Sequence, residues 1–162
     1  GVMAEITQRI NQELGLPVVF LSMCRGRDAR VARDILEKLP ENAGNIIIDD
    51  PAMTPQDALA IIGQSRLLLG MRLHSLIYAA SLAVPMVPIV YQDKVEGLVQ
   101  MLGAQSVHVD TMDTAALWRL ILAALDGQNA QRASALCQQM RERERQNICL
   151  FAKLMREGEQ SK

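Results

Sequence analysis

Apolar side chains recur along this chain in two alternating patterns: short unbroken runs of strand length, and longer amphipathic stretches. Residues 2–14 predict an amphipathic helix, ended by Gly15 and Pro17. Val18 to Met23 is a near-continuous apolar run and predicts the first strand. A polar loop, Cys24-Arg25-Gly26-Arg27-Asp28, leads into a helix through Lys38, closed by Pro40. Asn45 to Asp49, with three consecutive isoleucines, predicts the second strand. Thr54-Pro55-Gln56-Asp57 marks a helix start. Thr54 can cap, Pro55 suits the first helical position, and Asp57 meets free N–H groups. That helix ends near Gly63, and Arg66 to Leu69 is the third strand. Met71 to Ala83 predicts a helix, Met86 to Val90 a fourth strand, and Lys94 to Leu102 a short helix closed by Gly103. Val107 to Val109 is a short fifth strand. Thr111 or Asp113 caps a helix through Leu125, and a long helix runs from about Ala130 to Arg156.

Strands that are apolar throughout and alternate with helices imply a parallel sheet covered on both faces. With right-handed crossovers this is a Rossmann-like, doubly wound α/β fold. No repeat, low-complexity segment or interior linker interrupts residues 1–162, which predicts a single domain. Leu73 to Gln92 lacks Lys, Arg, Asp and Glu over 20 residues, the length of a membrane span. Pro85 and Pro88 break it, and polar residues recur within it at helical spacing, so it reads as a buried helix, a turn and a central strand.

Composition narrows the partners. A net charge of −1 leaves no electrostatic footprint for nucleic acid or anionic lipid. Two Phe, two Tyr and one Trp supply no platform for stacking bases. Cys24, Cys137 and Cys149 are odd in number and widely spaced, so they imply neither a disulfide framework nor a metal site. A reducing, cytoplasmic compartment is expected. The charged, amphipathic residues 1–14 do not resemble the apolar segment of a signal peptide.

In a doubly wound fold ligands bind outside the carboxyl ends of the strands. Four loops are expected there: Cys24–Asp28, Asp49–Asp50, Gly70–His74 and Tyr91–Lys94. Gly70 permits a tight strand-to-helix turn and close approach of a ligand to the backbone. The residues after it offer free N–H groups and the positive end of a helix dipole. On a helical wheel with Arg72 at zero, Leu73, Leu76, Ile77, Ala80 and Ala83 cluster between about 20° and 140° and face the sheet. His74, Tyr78 and Ser81 form a separate stripe. A cation such as Arg72 in a first helical turn implies a local anion or a neighbouring carboxylate. His74 is either a structural histidine or a ligand and acid beside Arg72, and Lys94 either solvated or anion-binding. Arg25 and Arg27 could meet an anion, while Asp28 is placed to cap the next helix. Asp49 and Asp50 could hold a ribose hydroxyl or make an ordinary turn, and His108 reads as structural.

The run Gly70-Met71-Arg72-Leu73-His74, followed by Val84-Pro85, Tyr91, Lys94-Val95 and Leu102-Gly103, resembles the polysaccharide pyruvyltransferase family, most clearly from Thr54 to Gly103. The resemblance implies transfer of the enolpyruvyl unit of phosphoenolpyruvate to a sugar of a cell-surface polysaccharide, leaving a pyruvate ketal. No cofactor beyond that donor is implied. It also implies the C-terminal half of a two-domain, GT-B-like enzyme that works in the cytoplasm or at the inner face of the membrane. An N-terminal half, absent from these residues, would carry further donor contacts and the site for a sugar or lipid-linked saccharide acceptor, and the domain alone would be inactive. Carried over position by position, Gly70, Arg72, Leu73 and Lys94 bind phosphoenolpyruvate, and His74 is the general acid or a phosphate ligand. Arg25 and Arg27 match no family pattern, and Asp93 stands before Lys94 where proline is common in the family.

Two other readings compete with this one. The same half-fold serves nucleotide-sugar sites of glycosyltransferases or epimerases, with Asp49 and Asp50 on a ribose and Arg25 or Lys94 on a diphosphate. A non-catalytic interaction module is the third reading. The loop Cys24-Arg25-Gly26-Arg27 lacks the acidic cluster that a receiver-like domain requires, and the helix from Ala130 offers a face to a partner.

Overall fold

The computed structural model of the chain describes residues 1–40, 42–126, 135–139 and 141–142. Over the described residues up to 126, five strands alternate with six helices: α1 (Val2–Leu14), β1 (Val19–Leu21), α2 (Arg27–Leu36), β2 (Ile46–Ile48), α3 (Pro55–Gly63), β3 (Leu68–Gly70), α4 (Leu73–Ser81), β4 (Met86–Val90), α5 (Asp93–Leu102), β5 (Val107–His108) and α6 (Thr114–Leu125). All strand pairs are parallel. This is the expected Rossmann-like α/β fold, with one difference. The ladder is split into a β1–β2 sheet and a β3–β4–β5 sheet, because the short β1 and β3 form no ladder with each other. The helix expected from Ala130 to Arg156 lies mostly outside the described residues; within it, 135–139 and 141–142 are helical.

Apolar layers cover both faces of β4, as its unbroken apolar run requires, whereas β1 and β2 leave Val19 and Ile46 exposed. One layer joins Ile62 of α3, Leu76, Ala79 and Ala80 of α4, and Val95, Val99 and Leu102 of α5 to Met86 and Val90 of β4. Leu136 and Cys137 pack against it from the chain beyond α6, and burial pushes the Cys137 thiol upward. The other layer sets Ile6 and Ile10 of α1 and Leu117, Trp118 and Ile121 of α6 against Val87. The period of two in β4 therefore feeds both cores from one strand.

Pro88 sits in this central strand, where a missing N–H ordinarily breaks a ladder. The Val109 N–H donates to the Val90 carbonyl, so even-numbered residues of β4 turn their backbone groups toward β5. Pairing with β5 begins only at Ile89 with Val107, and the missing donor falls just before it. Residues 73–92 fold as α4, a turn, β4 and the start of a loop. No helix among the described residues is long and apolar enough to cross a membrane.

Candidate functional site

The carboxyl ends of β1, β3 and β4 meet around Arg72. Its Nη2 lies 2.5 Å from Asp28 Oδ1, and its Nη1 donates to the Tyr91 hydroxyl at 3.3 Å. The hydrogen bond and charge of Asp28 raise the Arg72 pKa against the opposing effect of burial, so the guanidinium stays charged. The cation near a helix N-terminus thus has a neighbouring carboxylate, one of the two alternatives its position implied.

Asp28 does not cap α2 as expected. Gly26 is the N-cap, and no side chain bonds there. The Asp28 Oδ2 instead accepts from the Met23 and Cys24 N–H groups at 3.1 and 2.8 Å, which turns Oδ1 toward Arg72. Sequence spacing favoured a cap because Asp28 opens a helix; its long-range partner 44 positions away left no local signal. Tyr91 was likewise singled out only as part of a motif.

The local geometry around Gly70 also differs from expectation. Gly70 ends β3, is buried, and has no left-handed backbone. A Cβ there would lie 2.7 Å from Leu76 Cδ2, so the glycine serves close packing of α4 on the strand. Arg72 is the N-cap of α4 in extended conformation, and helical residues begin at Leu73. The buried face of α4 is Ser75, Leu76, Ala79 and Ala80, while Ile77 is 38% exposed. Small residues dominate because α4 also packs between α3 and α5, where close approach excludes larger side chains.

His74 is exposed at the second helical position, its ring centroid 6.4 Å from that of Tyr78. Lys94 is exposed at the second position of α5, whose N-cap, Gln92, makes no side-chain cap. Leu73 is half-buried. Among the described residues no hydrogen bond or ion pair joins His74 or Lys94 to Arg72. Two helices nonetheless open beside it, α4 and α5, neither with a side-chain cap. The first bond in α4 runs from the Leu76 N–H to the Arg72 carbonyl. The N–H groups of Leu73, His74 and Ser75 therefore have no partner within the helix. Chemically, a held guanidinium and free backbone N–H groups are the donors an anion requires.

The remaining candidates serve the loops. Arg25 Nη2 donates to the Pro51 carbonyl, Asp50 accepts from the Ala52 N–H at 2.8 Å, and Asp49 accepts from the Gly26 N–H at 3.5 Å. The Arg25 and Asp49 bonds stitch the β1–α2 loop to the β2–α3 loop, and the Asp50 bond is the turn chemistry that Asp-Asp-Pro allowed. Arg27 is exposed in the first turn of α2. His108 Nδ1 accepts from the Asp110 N–H at 3.3 Å at the far strand, β5.

The family model described as polysaccharide pyruvyl transferase matches residues 3–93, more than half of the chain. The chain belongs to the polysaccharide pyruvyl transferase family. The match takes in Gly70, Arg72, Leu73 and His74 together with Asp28 and Tyr91, and it stops one residue before Lys94. No solved structure matches the chain. A polysaccharide pyruvyl transferase is a transferase with a polysaccharide acceptor.

Proposed function

We propose that this chain is the C-terminal, donor-binding half of a pyruvyltransferase that uses phosphoenolpyruvate and leaves a pyruvate ketal on a sugar of a cell-surface polysaccharide. The observation that carries the reading is the placement of Arg72: a charged guanidinium at the carboxyl edge of β3, beside two helix N-termini without side-chain caps, within the segment that matches the family. Phosphoenolpyruvate bears a carboxylate and a phosphate, and a guanidinium presents a forked donor set to either. Lys94 supplies a point charge for phosphate, and the N–H groups of Leu73 and His74 add donors. Gly70 brings α4 close enough to aim them.

In the proposed reaction His74 acts as general acid. Its exposed ring delivers a proton to the methylene carbon of the donor, which makes the neighbouring carbon electrophilic. A sugar hydroxyl adds there and loses its proton, phosphate leaves, and a second hydroxyl closes the ketal. A preceding Rossmann-like half forms the other wall of the cleft and holds the saccharide acceptor. The reaction belongs to the cytoplasm or the inner face of the membrane, and no cofactor takes part.

The test is transfer from phosphoenolpyruvate to a saccharide acceptor by the full-length protein, followed as phosphate release and as ketal in the product. His74→Ala should lower turnover by about 10²–10⁴-fold with the fold unchanged by circular dichroism. Near-normal turnover would remove His74 from the role of acid. Arg72→Ala should raise the KM for phosphoenolpyruvate without changing the KM for acceptor.

A further inference from the structure

We infer that Asp28 and Tyr91 are positioning residues that act through Arg72, holding its guanidinium in one pose at the cleft edge; this deepens the pyruvyl-transfer reading of the site and rests on it. The two residues come from different segments, Asp28 from the first turn of α2 and Tyr91 from the β4–α5 loop. Asp28 follows β1, Tyr91 follows β4, and Arg72 itself follows β3. The Asp28 carboxylate is oriented by backbone, because Oδ2 accepts two N–H groups from the β1–α2 loop. Its other oxygen therefore faces Arg72 in a direction that the loop fixes. Tyr91 is anchored differently, by packing of its ring against the apolar layer that contains Leu76 and Val95. Its hydroxyl takes the second guanidinium nitrogen.

The pair is also sheltered. The side chains of Arg72 and Asp28 are 31% and 22% exposed, so solvent competes less with their contact than at an open surface. A guanidinium has five N–H donors, and these two contacts leave three for a ligand. Holding a long side chain in place before the ligand arrives removes an ordering cost from binding.

Charge and geometry predict opposite effects of removing Asp28, which makes the inference testable by sign. If the carboxylate only screened Arg72, its removal would expose the full positive charge and tighten an anionic donor. If it holds Arg72 in place, its removal weakens the donor. Asp28→Asn keeps an oxygen for the backbone N–H groups and loses the charged partner of Arg72. In the full-length protein it should raise the KM for phosphoenolpyruvate by about 10–100-fold and leave the KM for acceptor unchanged. Tyr91→Phe deletes one hydroxyl from a ring that stays packed, and should raise the same KM by a smaller factor. An unchanged or lowered KM for phosphoenolpyruvate in both variants, with Arg72→Ala raising it, overturns the inference.

A spectroscopic measurement separates this outcome from failure of the transfer reading. In protein with 15N-labelled arginine, the side-chain signals of Arg72 should show hindered rotation in the wild type and averaging in Asp28→Asn. Averaged signals already in the wild type refute positioning whatever the protein transfers. Hindered rotation in a protein that makes no product from phosphoenolpyruvate keeps the clamp and discards the substrate.

Discussion

A methyl group added at Gly70 would lie 2.7 Å from Cδ2 and 3.3 Å from Cγ of Leu76, a fully buried side chain. Gly70→Ala should therefore destabilise the protein by about 1–3 kcal/mol in urea unfolding, the usual range for overpacking a core. Leu76→Ala alone opens a cavity, and the double variant should lose less stability than the two single variants added together. A Gly70→Ala protein of normal stability and impaired transfer would return the glycine to the ligand-approach role that the motif suggested. Titration offers a second prediction at this scale. Hydrogen bonds from the side chain and backbone of Thr54 hold the Asp57 carboxyl below its usual range. A lowered folded pKa stabilises the protein above the unfolded value and is lost as pH falls through the folded one. Wild-type urea midpoints should fall between about pH 5 and pH 2, and Asp57→Asn should flatten part of that slope. An identical slope in the variant would show that the carboxylate contributes nothing.

At the scale of elements, two helices end in the same way with different residues. After α5, Gly103 takes a left-handed backbone, and the Ala104 N–H bonds back to the Val99 carbonyl. After α4, Ala83 takes that place with φ 56°, and the Val84 N–H bonds back to the Ala79 carbonyl. Only the second is strained, since a Cβ disfavours the left-handed region. Ala83→Gly should stabilise the protein by about 0.5–1 kcal/mol, the strain removed exceeding the entropy that glycine adds to the unfolded chain. An unchanged or lower melting temperature would count against it. The sequence marked the α5 stop through Gly103 but the α4 stop only through Pro85, with no sign that an alanine takes the left-handed position. Asn45 was equally silent. It is buried, exchanges amide hydrogen bonds with Asn11 at 2.9 and 3.0 Å, and accepts from the Val18 N–H at 2.7 Å. It thereby ties α1 to the start of both β1 and β2. Asn45→Ala should cost about 1–3 kcal/mol by leaving those groups unpaired, measurable as a shift in urea midpoint.

On the scale of the whole molecule, β4 couples the two apolar layers, because Met86 and Val90 enter one and Val87 the other. Trp118, the sole tryptophan, sits in the second layer with the Arg9 guanidinium 4.3 Å from its ring centroid. Its fluorescence should therefore change at the same urea concentration as far-ultraviolet circular dichroism, which reports on helices of both layers. Separate transitions would mean that the α1–α6 layer and the α3–α4–α5 layer are independent units. The Arg72 cluster is also a property of this scale, since it exists only when three strand ends are brought side by side.

Much of the architecture was legible in the chain because its causes are local. Apolar runs of strand length, helical spacing, the Thr54 capping box and the Gly103 stop each depend on residues a few positions apart; the capping box and the stop stand where expected, and the strands and helices within about two residues of it. Arg72 was conspicuous for a local reason too, a cation where the helix dipole disfavours one. Contacts between distant segments were decided only by folding. The face that α4 buries depends on how close α3 and α5 come, so the wheel misplaced Ile77 and missed Ser75 and Ala79. Asp28 left its expected cap because loop N–H groups captured one oxygen and Arg72 the other. The sequence alone named the candidates for meeting an anion. The tertiary structure decided how one of them is held, because hydrogen-bond partners are chosen by proximity in space and not along the chain.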